Sequence, residues 1–126
     1  MQGRRREMQV VWGIALGAAA FRLLLFHGLD LYADEAYYWM WSRRPAFGYF
    51  DHPPMVAWLV RAGTALLPGE VGVRIVFVAC GVLAVVLAGL VARELSDDPR
   101  APAVGAALAA SSPLLMLTGG LALPRK

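Results

Sequence analysis

The sequence predicts an all-α integral membrane protein: three transmembrane helices, with short interfacial helices in the loop after the first. Three observations carry that prediction. Residues of the AVILMFWYC set make up 59% of the 126 positions, charged residues 17%, and mean hydropathy is +0.55. Soluble domains carry about 45–50% apolar and about 25% charged residues. A chain this short has little interior in which to hide the excess, because small domains bury a smaller fraction of their surface. The apolar residues are also gathered into runs close to the ~20 positions that a helix needs to cross hydrocarbon. Together these exclude a polar disordered chain and argue against a water-soluble globule. Cys80 is the one cysteine, so no internal disulfide can form. A net charge of +3, with arginines scattered among apolar runs, gives nucleic-acid binding no support.

The first run covers about 8–29 and is interrupted by Arg22 and His27. A central arginine would cost about 2.5–3.5 kcal/mol. Arg22 lies toward the far end, where its stem can snorkel to the interface or its guanidinium can face a polar cavity. A cleaved signal peptide would also begin with Arg4-Arg5-Arg6 and carry small residues such as Ala18-Ala19-Ala20. The run resumes at Leu23-Leu24-Leu25-Phe26, which favours an uncleaved span.

The second run, about 71–92, has Arg74 near one end and Arg93-Glu94 at the other. A polar turn with a helix-stopping proline follows at 96–100. The third run, 101–123, is mostly Ala, Gly, Ser and Leu with Ser111-Ser112-Pro113 in its middle. Its small residues, Gly105, Ala109, Gly119 and Gly120, permit close helix approach and suit protein neighbours, including a partner's helix, better than bare lipid. Basic residues beside the spans orient the chain. Arg4, Arg5 and Arg6 place the N-terminus in the cytoplasm of a cell (plasma or inner) membrane, and alternation makes 30–70 an external loop. Arg125-Lys126 then falls on the side that the rule disfavours.

That loop is chemically unlike the rest. Eight of the 13 aromatics fall between Tyr32 and Phe50, together with Asp34-Glu35 and the adjoining Asp51-His52-Pro53-Pro54. Each feature has an ordinary explanation: an interfacial aromatic belt, Asp34 capping a helix that runs through Trp41, and a turn at Asp-His-Pro-Pro. Two such residues do not make a zinc site. In combination they suit a general base beside a lipid head group, since a carboxylate takes a proton when held within hydrogen-bond reach of an attacking hydroxyl. Pro53-Pro54 is compatible with starting a helix. The stretch 55–67 is too short to span and reads as an interfacial or re-entrant helix ended by Pro68-Gly69.

Leu31-Tyr32-Ala33-Asp34-Glu35-Ala36-Tyr37-Tyr38-Trp39, Trp41-Ser42 and Gly48-Tyr49-Phe50-Asp51-His52-Pro53-Pro54-Met55 resemble the first external loop of the GT-C glycosyltransferases. The group in question uses polyprenyl-phosphate sugars and is related to dolichyl-phosphate-mannose protein mannosyltransferases and lipid A aminoarabinose transferase (glycosyltransferase family 39/83-like). The likeness extends over about 10–124, specific in the loop and resting on span order elsewhere. Arg22, Arg74 and Ser112-Pro113 also fall at positions that the family uses. The resemblance implies the N-terminal part of a GT-C fold and sugar transfer at the outer membrane face. The donor would be a lipid-linked sugar and the acceptor a hydroxyl on a lipid, glycan or protein.

Residue by residue, the resemblance assigns Asp34 as the base of an inverting displacement, with Glu35 a second acid orienting acceptor or base. Tyr37 and Tyr38 would line the sugar or lipid-phosphate pocket. Asp51 would line the site, and in some relatives the matching acid lies near a divalent metal; His52 would support it. No cofactor follows from the residues themselves, and a metal at Asp51 would need further ligands from elsewhere. Family members run to several hundred residues with about a dozen spans, so the expectation is a single N-terminal transmembrane segment of a larger domain, inactive by itself. The competing expectation is a small non-enzymatic multi-pass protein that packs its third span against a partner.

Overall fold

The structure, a computed structural model, describes residues 2–28, 30–50 and 53–113. The described residues form five helices: α1 (Gln2–Phe26), α2 (Ala33–Ser42), α3 (Met55–Leu66), α4 (Gly69–Leu95) and α5 (Ala101–Ser111). It is an all-α membrane protein. Gly3–Phe26 and Gly69–Leu95 are long and apolar enough to cross a bilayer.

The helix bounds follow local chemistry. α1 starts at Gln2 rather than near residue 8, because arginine is a good helix former and nothing in Arg4-Arg5-Arg6 breaks the backbone. After Phe26 the chain turns at Gly28, whose φ of 78° lies in the left-handed region open to glycine. α4 outruns its expected bounds at both ends. It begins after Pro68, carries Glu70 in its first turn and Arg93 in its last, and so places charge favourably against the helix dipole. The 96–100 segment is a turn, as expected. In it the Asp98 carboxylate accepts from the Arg100 N–H at 2.8 Å and the Asp98 carbonyl accepts from the Ala101 N–H at 2.9 Å.

α5 ends at Ser111, inside the expected third span. Ser112 has φ −62° and ψ 121°, the extended geometry that a following proline imposes, here Pro113. Residues 114–126, with Gly119, Gly120 and the terminal Arg125-Lys126, lie outside the described residues.

α1, α4 and α5 pack together around Val11, Ala15, Val85, Val86 and Ala106. The small residues of α5 do permit close approach: a Cβ on Gly105 would come within 2.6 Å of the Ala92 Cβ. α2 packs on α3, and α3 folds back on α4. A second core joins these three through Tyr38, Val60 and Val73. The return from α3 into α4 is tight because Gly63 and Gly72 bring the two backbones into contact, and a Cβ on Gly63 would collide with the Gly72 carbonyl oxygen. Large apolar side chains such as Leu16, Leu24, Leu83, Leu87 and Val91 face outward. That arrangement costs nothing when the surroundings are acyl chains or further helices.

Candidate functional site

The site is built where the loop after α1 meets the start of α4. Glu35 is the third residue of α2, and its Oε2 accepts from the backbone N–H of Tyr32 at 3.1 Å, closing the helix N-terminus from within. The capping acid is therefore Glu35 and not Asp34. The same carboxylate receives Arg74 from α4 as a two-pronged pair: Nε to Oε1 at 2.9 Å and Nη2 to Oε2 at 2.7 Å. Both side chains are buried, Glu35 at 0% exposure and Arg74 at 4%. Planar bidentate pairing of this kind fixes orientation as well as supplying energy.

Arg74 does more than neutralise an acid. Its Nη1 donates to the Phe26 carbonyl at 2.9 Å and its Nη2 to the Asp30 carbonyl at 3.1 Å. Phe26 is the last residue of α1, whose terminal carbonyls have no partner within the helix. One guanidinium thus ties the end of α1, the following turn, the start of α2 and the first turns of α4 into a single node. An arginine near the end of an apolar span signals that a partner is needed. The partner, 39 positions earlier, is visible only in the fold.

The consequence for Asp34 is positional. It sits one residue before Glu35 in the first turn of α2, half-buried, and among the described residues nothing hydrogen-bonds to its carboxylate. Its neighbour is locked while it is not.

The tyrosines separate. Tyr38 is a core residue, 6% exposed, tilted against Trp41 with ring centroids 5.6 Å apart. Tyr37 is exposed and meets Trp41 edge-on at 5.3 Å. Trp41 also stacks on Tyr49 at 4.9 Å and 11°. The Tyr49 hydroxyl shares its proton between the Trp41 and Arg44 carbonyls, at 3.0 and 2.9 Å, and accepts from the Ala46 N–H at 3.2 Å. Arg61 Nη1 donates to the Ser42 carbonyl at 3.1 Å, and Trp58 Nε1 to the Ala46 carbonyl at 3.2 Å. The aromatic loop is therefore a folded wall rather than a loose belt. Trp39, Met40, Trp41, Arg43, Arg44 and Tyr49 line an open hollow of about 740 Å³. Tyr49, not singled out as a site residue from sequence, organises this wall.

Asp51 and His52 lie outside the described residues. Among the described residues no three His, Cys, Asp or Glu side chains gather where they could hold a metal ion. Those residues do not form a metal site by themselves, and no chemical step below passes through one.

Residues 51–123, more than half of the chain, match the profile of the family described as dolichyl-phosphate-mannose-protein mannosyltransferase. The chain is also 44% identical over 55 residues to a protein named lipid A galacturonosyltransferase RgtD from Rhizobium johnstonii. That alignment covers 42% of this chain and 12% of the relative. No solved structure matches. The sequence match and the helical membrane architecture agree, and the chain belongs to the dolichyl-phosphate-mannose-protein mannosyltransferase family.

Proposed function

We propose that the chain contributes the acceptor-activating part of a GT-C glycosyltransferase, working at the outer face of the plasma or inner membrane with the N-terminus in the cytoplasm. Here the 126 residues are the N-terminal segment of the transmembrane domain, with 30–70 external. The donor is a sugar on a polyprenyl phosphate. The acceptor is a hydroxyl of a lipid, glycan or protein, and the relative's name, a lipid A galacturonosyltransferase, supports the lipid.

In the reaction the acceptor oxygen forms a bond to the anomeric carbon while the bond from that carbon to the phosphate oxygen breaks. The hydroxyl proton passes to Asp34, and the polyprenyl phosphate leaves with the bonding pair. Glu35 acts through Arg74 to hold the first turn of α2, which makes it a positioning residue. Tyr37, the exposed member of the tyrosine pair, flanks the acceptor; Tyr38 supports it from the core. Asp51 and His52 keep a substrate-binding role in this reading.

The observation that carries the proposal is the contrast at the start of α2: a fully committed Glu35 beside an uncommitted Asp34. The small non-enzymatic protein is not favoured by a chain that belongs to a transferase family. Asp34→Asn tests the reading directly. Positioned general bases contribute about 100-fold or more. Transfer by the enzyme carrying this chain should fall by that factor in kcat, with membrane insertion and helicity unchanged. Near-normal turnover would remove Asp34 from the role.

A further inference from the structure

At the end of the bundle away from the Glu35–Arg74 node, three arginines from two helices face one space. Arg4 and Arg5 are exposed near the start of α1. Arg93 lies in the last turn of α4, about 28 Å further along that helix than Arg74 at ~1.5 Å per residue. That separation is close to the ~30 Å thickness of a hydrocarbon core, so the two ends of α4 belong to opposite membrane interfaces. With Met8, Gln9 and Trp12, the three arginines line a hollow of about 330 Å³ shared by the two helices.

The walls of this hollow do not balance its charge. No acid lines it. Among the described residues only Arg93 of the three meets an acid, donating from Nε and Nη2 to Glu94 Oε1 at 3.3 and 3.0 Å. Like charges gathered at one place repel unless an anion is shared between them, and guanidinium groups match phosphate oxygens in geometry. Toward the bilayer the surface turns apolar. Trp12 is half exposed, and Leu16, one turn deeper on the same face of α1, is also exposed. A tryptophan at headgroup depth above an aliphatic side chain suits an amphiphile lying along the helix. A soluble anion would use the arginines alone, whereas a phospholipid uses the arginines, Trp12 and Leu16. Basic pockets between transmembrane helices hold anionic headgroups for this reason.

We propose that this hollow binds an anionic phospholipid, its phosphate held by Arg4, Arg5 and Arg93, its glycerol beside Gln9, and one acyl chain running over Trp12 and Leu16. The lipid clamps the start of α1 to the end of α4. The site lies at the membrane face opposite Asp34 and takes a bulk phospholipid rather than a sugar carrier. It stands whether or not Asp34 is the base.

The purified chain in dodecyl maltoside, titrated in native mass spectrometry with phosphatidylglycerol, zwitterionic phosphatidylcholine and soluble glycerol phosphate, tests it. Phosphatidylglycerol should bind saturably and more tightly than either of the others. Arg5→Gln and Arg93→Gln should each weaken that binding about fivefold, the factor for one basic residue at an anionic lipid surface. Arg6→Gln removes the same charge from an exposed position outside the hollow, and should bind as the unaltered chain does. Glutamine is nearly as good a helix former as arginine, so all three variants should keep their helicity. Phosphatidylglycerol should also raise the unfolding temperature, an effect lost when Arg5→Gln and Arg93→Gln are combined. The proposal is overturned if phosphatidylglycerol does not bind, or if phosphatidylcholine or glycerol phosphate binds as tightly. It is equally overturned if Arg6→Gln loses as much affinity as Arg5→Gln and Arg93→Gln, or if none of the three loses any.

Discussion

Breaking the Glu35–Arg74 pair from either side should destabilise the fold, and unequally. Removing one partner of a buried ion pair leaves a bare charge and costs about 3–5 kcal/mol. Glu35→Gln retains an oxygen that can accept from Arg74 or Tyr32, so its cost should sit at the lower end. Arg74→Met exposes more. It leaves the Glu35 carboxylate without its cation and takes a donor from each of the Phe26 and Asp30 carbonyls. Both bonds are part-buried, so each lost hydrogen bond adds about 0.5–1.5 kcal/mol, and Arg74→Met should be the worse variant by roughly 1 kcal/mol or more. Against native stabilities of about 5–15 kcal/mol, that difference is readily measured.

Reversible unfolding in mixed micelles, followed by helical circular dichroism, would give both values. The double variant should be less damaging than the sum of the two, since it removes the charges together. Coupling between contacting residues runs to about 0.5–3 kcal/mol. Because both groups are buried, added salt should leave that coupling nearly unchanged. Strict additivity, or a coupling abolished by salt, would refute the node and return the pair to the surface.

Other outcomes follow from the same geometry. Gly63→Val should prevent α3 from lying on α4, seen as loss of the tight helical return in crosslinking and as faster proteolysis of the loop, because its side chain meets the Gly72 carbonyl. Tyr49→Phe removes a hydroxyl that engages Trp41, Arg44 and Ala46. It should raise hydrogen exchange across 43–50 while leaving α4 protected, at a cost of about 1–2 kcal/mol. Cys80 is exposed on α4, about 16 Å along the helix from Gly69 at 1.5 Å per residue. That depth is near mid-bilayer. In intact membranes Cys80 should resist a charged maleimide and react once the bilayer is dissolved; rapid labelling in membranes would displace α4 from the span.

Much of the fold was readable because hydrophobic length is a one-dimensional property. The apolar runs near α1 and α4, the turn with Pro99 and the short helix after Pro53-Pro54 all follow from residues adjacent in sequence. Bounds shifted where local chemistry outweighed hydropathy: Arg4-Arg5-Arg6 continue a helix despite their charge, and the extended Ser112 before Pro113 ends α5. The site was legible as a composition, acids and aromatics crowded into one loop, but not as an assignment of roles.

Asp34 and Glu35 are neighbours of nearly equal chemistry, and only the tertiary structure separates them. The sequence alone determines that the chain lives in a membrane and where its chemistry is concentrated, since both depend on which residues lie side by side. Tertiary structure decides which acid is spent and which is available, that Tyr38 is core while Tyr37 is surface, and that Arg22 has no hydrogen-bond partner among the described residues. Those distinctions arise from contacts between residues tens of positions apart. There, burial makes pairing obligatory for Glu35 and Arg74.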